Sequence, residues 1–297
     1  MQMFYLIYGP GAVLIVGVEA VALLVTVTAS AWVLIITLEV FAPRDAGLLS
    51  ETAMLTGFVG AVSAAVIILF AIVFYAVREA SRAEALAELE FQRSESLLLS
   101  ILPAAVADRL KTRPDRVIAD RHDEASILFA DMAGYTAVSD HASPDDLVSF
   151  VNEVFTTFDR LVERHGLEKI KTSGDSYMVV SGVPIARPDH AAALVTLGID
   201  MLHEARNMHD PHGRGVSLRI GIASGPVVAG VVGMKKFFYD VWGDAVNVAS
   251  RMESTGIAGR IQISPTTYEA VKGRFEFERR DGVEIKGKGL MTTWLLK

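Results

Sequence analysis

Apolar and polar positions divide this chain into three unlike stretches. From Tyr5 to Ala42 it is apolar, and the only charged residues there are Glu19 and Glu39. As one helix this stretch would run roughly 57 Å at 1.5 Å per residue, well beyond a hydrocarbon core of about 30 Å. A break at Gly17-Val18-Glu19 is therefore expected, leaving spans 2–16 and 20–41, the first bent by Gly9-Pro10-Gly11. One long tilted helix starting after Pro10 is the alternative. A further span is read at 53–77, where Gly60 and Ala64 form a small-xxx-small pair suited to close helix approach. Next, residues 79–102 are rich in Ala, Glu, Leu and Arg, with no Gly or Pro before Pro103, and predict a helix. Leu86 and Leu89 have a and d spacing, but Arg93 and Ser96 follow one heptad later, so a helix pair and a solvated spacer both remain open. Beyond residue 125 the pattern reads strand, helix 144–164, hairpin, helix 189–208, hairpin 216–232, helix 245–255, then short pieces. Such alternation predicts a sheet with helices on one side.

Charge sharpens this division. The formal net charge is −7, and of 28 Lys and Arg only Arg44 precedes residue 78. The remainder is an ordinary, mildly acidic soluble composition, which argues against nucleic acid as a partner. There is no Cys, so disulfides and thiol chemistry are excluded. A cleaved signal peptide fits poorly, because the start is not basic and no A-x-A site precedes a polar mature chain. Arg78, Arg82 and Arg93 follow the last span, against a lone Arg44 before it, which predicts a cytoplasmic carboxyl side. Three spans would then place Met1 outside.

Three stretches carry the candidate chemistry. Ser126 to Thr136, SILFADMAGYT, reads as a buried strand ending in Asp131, followed by the small residues Ala133 and Gly134 and a helix start. Small residues there let backbone N–H groups approach phosphate oxygens. Glu168 to Gly182 reads as a hairpin whose Ser173-Gly174-Asp175 turn presents a second carboxylate. Taken singly, each Asp could equally be a turn former or a cap. Together, carboxylates at the ends of adjacent strands suit a site that holds two cations between attacking and leaving oxygens. In the third stretch, Phe237 to Thr255, Asp240 precedes a turn, and Asn247 and Arg251 share a helix face at i, i+4 spacing. The seven His residues lie in no convincing ligand motif and read as surface or cap residues.

These three stretches together resemble the catalytic domain of class III nucleotide cyclases, in particular the membrane-anchored adenylate cyclases of mycobacteria. The resemblance implies an α+β, ferredoxin-like catalytic domain at 104–297, preceded by an α-helical transmembrane region at 1–77 and a coupling helix at 78–103. It implies that Asp131 and Asp175, with the backbone carbonyl of Met132, hold two divalent cations, Mg²⁺ or Mn²⁺. Lys171 and Asp240 would select the base. A Lys donor and an Asp acceptor fit adenine N1 and the exocyclic amine, whereas guanine reverses both roles, and guanylate cyclases of this family typically carry Glu and Cys there. Asn247 would orient the ribose and Arg251 would stabilise charge on the α-phosphate. Lys286 would hold the terminal phosphates, with Lys288 as a possible stand-in.

The implied reaction converts ATP to 3′,5′-cyclic AMP and pyrophosphate, with no dedicated protein base. The metal carboxylates would come from one protomer and the remaining residues from the other, so the working unit would be a homodimer with two sites. Expected partners are therefore ATP, a second copy and the lipid bilayer, with a ligand of the membrane region as a further candidate. The protein would be a multi-pass membrane protein with a cytoplasmic catalytic domain. Cyclases of this type commonly carry six spans, so the first three are expected to be missing from this chain. A guanylate cyclase is disfavoured by Lys171 and Asp240, and a diguanylate cyclase by TSGDSY where a GGDEF-type hairpin would stand. A receptor with a silent cyclase domain would be favoured by a missing Asp or Arg, and none is missing.

Overall fold

The computed structural model describes residues 50–112, 118–233 and 237–297. The expected spans 2–16 and 20–41 lie outside the described residues. The chain separates into two compact units, Met1–Leu86 and Ala87–Lys297. Helix α1 (Glu51–Leu99) is continuous for 49 residues, so the apolar span and the charged helix after it are one element. At 1.5 Å per residue it is about 73 Å long, and only its first half is apolar enough for lipid. Among the described residues it is the one helix long and apolar enough to cross a membrane.

The second unit continues with α2 (Ala104–Thr112), β1 (Ala119–Met132), α3 (Tyr135–Ser139), α4 (Pro144–Arg164), β2 (Glu168–Ser173), β3 (Ser176–Ser181) and α5 (His190–Ala205). It ends with β4 (Leu218–Val232), β5 (Phe238–Trp242), α6 (Asp244–Ser254), β6 (Ile261–Ile263), α7 (Pro265–Val271), β7 (Phe277–Ile285) and β8 (Gly289–Leu296). The strands form one mixed sheet in the order β2-β3-β1-β4-β6-β8-β7, with β5 paired to β4 off that path. The α+β class that the resemblance implies is what the structure shows.

Alternation along β1 explains the two layers. Leu128, Ala130 and Met132 point into a core shared with Phe158 of α4 and Leu194 and Leu197 of α5. Ala125 and Ile127 point the other way, toward Ala245 and Ala249 of α6 and Val106 of α2. Helices therefore cover both faces, and the expectation of helices on one side only is corrected. The physical reason lies in β4. Its α6-facing positions are Gly221, Ala223, Gly225 and Val227, and a Cβ on Gly221 would stand 2.0 Å from the backbone N of Glu253. Small residues on that face let α6 lie almost on the strand backbone.

The expected hairpin at 216–232 is likewise corrected. The stretch 218–232, with Ser224-Gly225-Pro226 inside it, is one strand, β4, pairing with β1 from Ala119↔Gly230 to Met132↔Leu218. Gly225 serves here as a close-approach residue, its Cβ position 3.3 Å from that of Ala245. The other elements fall close to their expected places. Helix α4 starts at Ser143, whose hydroxyl accepts from Asp146 N–H, with Pro144 in the first turn.

Candidate active site

The end of β1 and the β2–β3 turn meet because β1 and β3 are antiparallel, with Ala130 opposite Tyr177. That register brings Asp131, one residue past Ala130, beside Asp175 in the turn. Gly174 adopts φ 63°, the left-handed conformation that such a tight turn needs. The hairpin is anchored from behind by Tyr177, which is fully buried. Its ring meets Phe158 edge-on at 5.5 Å and Phe155 at 5.4 Å, and its hydroxyl donates to Asp159 of α4. Each aromatic pair contributes about 0.5–1.5 kcal/mol beyond the area it buries.

Asp131 and Asp175 are both half-buried. Burial, and then the negative charge of Asp131, push the Asp175 carboxyl up to about 6, while backbone hydrogen bonds at Asp175 and Met132 oppose the shift. Two carboxylates forced together and partly desolvated are an arrangement that a cation relieves. The donors are all oxygens, which suits hard divalent cations. Among the described residues no group of three or more His, Cys, Asp or Glu gathers to hold a metal. Two carboxylates alone would leave most coordination positions of a hard divalent cation to other oxygens.

One neighbour of this pair was not singled out from the sequence. Arg219 stands opposite Asp131 in the β1–β4 register, and its Nη2 donates to Asp131 Oδ2 at 2.5 Å. Its Nε donates to Glu253 Oε1 at 3.1 Å.

The two base-selecting candidates are brought together by the fold. Asp240 on β5 is 5% exposed, and its Oδ1 accepts from Val241 N–H at 2.8 Å. Its Oδ2 accepts from Lys171 Nζ at 2.5 Å across from β2. Both carboxylate oxygens are thereby held, and one donor and one acceptor stand at a fixed spacing. Asn247 is exposed and Arg251 half-exposed on α6, and Arg251 has no ion-pair partner among the described residues. Lys288 is bound to Asp244 at 2.8 Å, whereas Lys286 is exposed and has no such partner among the described residues. Lys286 is thus the freer cation of the two.

Residues 117–297 match the family model for the adenylate and guanylate cyclase catalytic domain, and residues 1–91 match the model called MASE7. The chain belongs to the class III cyclases, the family of adenylate and guanylate cyclase catalytic domains. It is 51% identical over 295 residues to the adenylate cyclase of Mycobacterium tuberculosis, covering 99% of this chain and 67% of that protein. At that likeness over nearly its whole length, the chain is an enzyme of the adenylate cyclase type. Among solved structures it resembles the catalytic core of a rhodopsin-guanylyl cyclase with converted specificity in complex with ATPαS. The match has TM-score 0.58 and 38% identity, over 60% of this chain and 97% of that one. It also resembles the noncanonical dimeric guanylyl cyclase domain of the RhoGC fusion protein from Blastocladiella emersonii, with TM-score 0.56 and 33% identity, over 60% of this chain and 97% of that one.

Proposed function

We propose that this chain forms 3′,5′-cyclic AMP and pyrophosphate from ATP at two equivalent sites of a membrane-anchored homodimer, each site using two divalent cations, Mg²⁺ or Mn²⁺. The observation that carries this reading is the pairing of Asp131 with Asp175 on one hand and of Lys171 with Asp240 on the other. The first pair supplies oxygen ligands for cations, and the second offers the donor and acceptor that adenine requires.

Asp131, Asp175 and the Met132 carbonyl would hold the cations, whose chemistry is to favour ionisation of the ribose 3′-hydroxyl and to neutralise the triphosphate. Lys171 Nζ donates to adenine N1 and Asp240 accepts from its exocyclic amine. Guanine would meet both with the wrong polarity, leaving buried polar groups unpaired. Asn247 orients the ribose, Arg251 one turn on stabilises charge gathering on the α-phosphate, and Lys286 holds the terminal phosphates. No side chain is required as a general base.

The homodimer is supported by a patch of apolar surface. Val228, Val232, Phe237, Phe238 and Trp242, on and beside the β4–β5 arm, are each 41–48% exposed. Clustered exposed aromatic and aliphatic side chains of this kind mark an interface, and an isologous contact between two copies would give two identical composite sites. Membrane anchoring is supported by α1, on which Val66, Ile67, Phe70 and Phe74 are 59–72% exposed. An apolar, solvent-facing helix of this length suits hydrocarbon. The excess of Arg just after the last span, from Arg78 on, supports a cytoplasmic catalytic domain.

The test is cyclic nucleotide formation by the purified full chain with Mn²⁺ or Mg²⁺, across protein concentration and with GTP in parallel. Specific activity that rises with concentration and prefers ATP is expected. A dimeric chain yielding no cyclic nucleotide from either substrate would overturn the reading.

A further inference from the structure

Asp131, Arg219 and Glu253 form a chain of three half-buried charges that runs from the metal carboxylates to α6. Their side chains retain 17%, 33% and 12% exposure, respectively. Arg219 Nη2 donates to Asp131 Oδ2 at 2.5 Å, and its Nε donates to Glu253 Oε1 at 3.1 Å, so one guanidinium serves two carboxylates. Burial, the largest cause, and the neighbouring charge of Asp131 push the Glu253 carboxyl up, while the Arg219 guanidinium pulls it down. Glu253 lies two residues past Arg251, about 200° round a helix of 3.6 residues per turn. It faces the sheet, on a different side of α6 from Asn247 and Arg251. The contact is close because Gly221 brings the helix backbone against β4.

The oxygen that Arg219 holds is one that a divalent cation would use. A guanidinium and a divalent ion repel each other, which favours release of Arg219 from Oδ2 when a cation arrives at Asp131, and Glu253 is the acceptor it already holds. We propose that Glu253 is a positioning residue: it takes over Arg219 when Asp131 turns to the metal, and so sets metal affinity through Arg219. The inference rests on the reading of Asp131 as a metal ligand. A purely structural Glu253 would secure α6 to the sheet without affecting metal binding.

The experiment is Mn²⁺ binding to the full chain in detergent micelles, followed by electron paramagnetic resonance without nucleotide. It compares wild type, Glu253→Gln, Arg219→Met, the double variant and Asp131→Asn. Glu253→Gln is expected to weaken Mn²⁺ binding about tenfold, the lower end for losing a residue that orients a metal ligand. Arg219→Met is expected to bind Mn²⁺ at least as tightly as wild type, and the double variant to match Arg219→Met. Disappearance of the Glu253→Gln loss in the Arg219→Met background separates action through Arg219 from a plain loss of negative charge. An equal loss in both backgrounds, or a change under twofold in Glu253→Gln while Asp131→Asn abolishes binding, would overturn the proposal and leave the metal assignment standing. Binding that survives Asp131→Asn would sink the metal assignment, and the exchange with it. Should Glu253→Gln fail to fold, Glu253→Asp, which keeps the charge but shortens the reach by one methylene, is read in its place with the same expected direction.

Discussion

Asp240 shows how neighbours fix the orientation of a single side chain, the one proposed to select the base. Its two oxygens are held by different partners, Val241 N–H and Lys171 Nζ, so its orientation is set before a nucleotide arrives. Replacing the pair as Lys171→Glu with Asp240→Cys should remove that pattern and install the one typical of guanylate cyclases. The ratio of kcat/KM for ATP to that for GTP should fall at least about a hundredfold, given how strongly unpaired polar groups reject a substrate. Parallel assays with the two nucleotides measure it, and an unchanged ratio would remove Lys171 and Asp240 from base selection.

A second residue-scale prediction concerns Glu168, on the same strand as Lys171. Burial pushes its carboxyl up to about 7. The folded chain therefore binds a proton that the unfolded chain, titrating near 4.3, has already lost at intermediate pH. Stability contributed by this group is thus full below about pH 4 and falls as pH rises to about 7. Glu168→Gln should raise the melting temperature at pH 8 by about 2–4 °C, the shift expected for about 1 kcal/mol in a domain of this size, and leave it unchanged at pH 4. Melts at the two pH values test this, and an equal effect at both would point to packing.

At this scale the candidate residues legible in the sequence were those beside a local signal. Asp131 ends an apolar run, Asp175 sits in a glycine turn, and Arg251 follows Asn247 by one helical turn. Arg219 and Glu253 carry no such signal. One alternates within an ordinary strand and the other reads as helix surface, and only the β1–β4 register and the closeness of α6 join them to Asp131. His190, read with the other His as a surface or cap residue, stands at the start of α5 and is hydrogen-bonded through Nδ1 to the buried Ser126 hydroxyl at 2.7 Å.

At the scale of elements, β4 decides where α6 can lie. Gly221 is the narrowest point, with backbone atoms of Ala249, Met252 and Glu253 all within 2.6 Å of where its Cβ would stand. Gly221→Ala should force α6 outward, carrying Asn247 and Arg251 with it. Overpacking of a tight core costs about 1–3 kcal/mol, so the melting temperature should drop by several degrees. Misplacement by about 1 Å should cost on the order of a hundredfold in rate. Calorimetry and a kcat measurement on the same preparation check both, and a stable, fully active variant would show that α6 has slack. This is also where sequence reading erred. Glycine and proline at 224–226 are the usual marks of a turn, and their use here, as clearance for a helix inside a long strand, depends on a partner element that no local pattern reveals. The hairpin at 168–182 was legible because its turn glycine and its apolar alternation agree.

At the scale of the whole molecule, the proposed function makes one chain insufficient. Asp131 and Asp175 would serve one site, while Lys171, Asp240, Asn247 and Arg251 of the same chain serve the other. An Asp131→Asn chain and an Arg251→Ala chain should then each be nearly inactive as homodimers, because every site lacks one essential group. Mixed, they form heterodimers in which one site carries both substitutions and the other carries neither. With random pairing of equal amounts, half the dimers are mixed and each has one intact site of two, so about a quarter of wild-type specific activity should return. Recovery should develop as subunits exchange and should depend on total protein concentration. A site contained within a single chain predicts the opposite: two defective chains have no intact site to share, and their mixture would remain as inactive as its parts. Co-expression with two affinity tags, followed by cyclic AMP measurement on the doubly purified species, distinguishes these outcomes. The doubly tagged dimer should reach about half of wild-type activity, since every molecule in that pool retains one complete site.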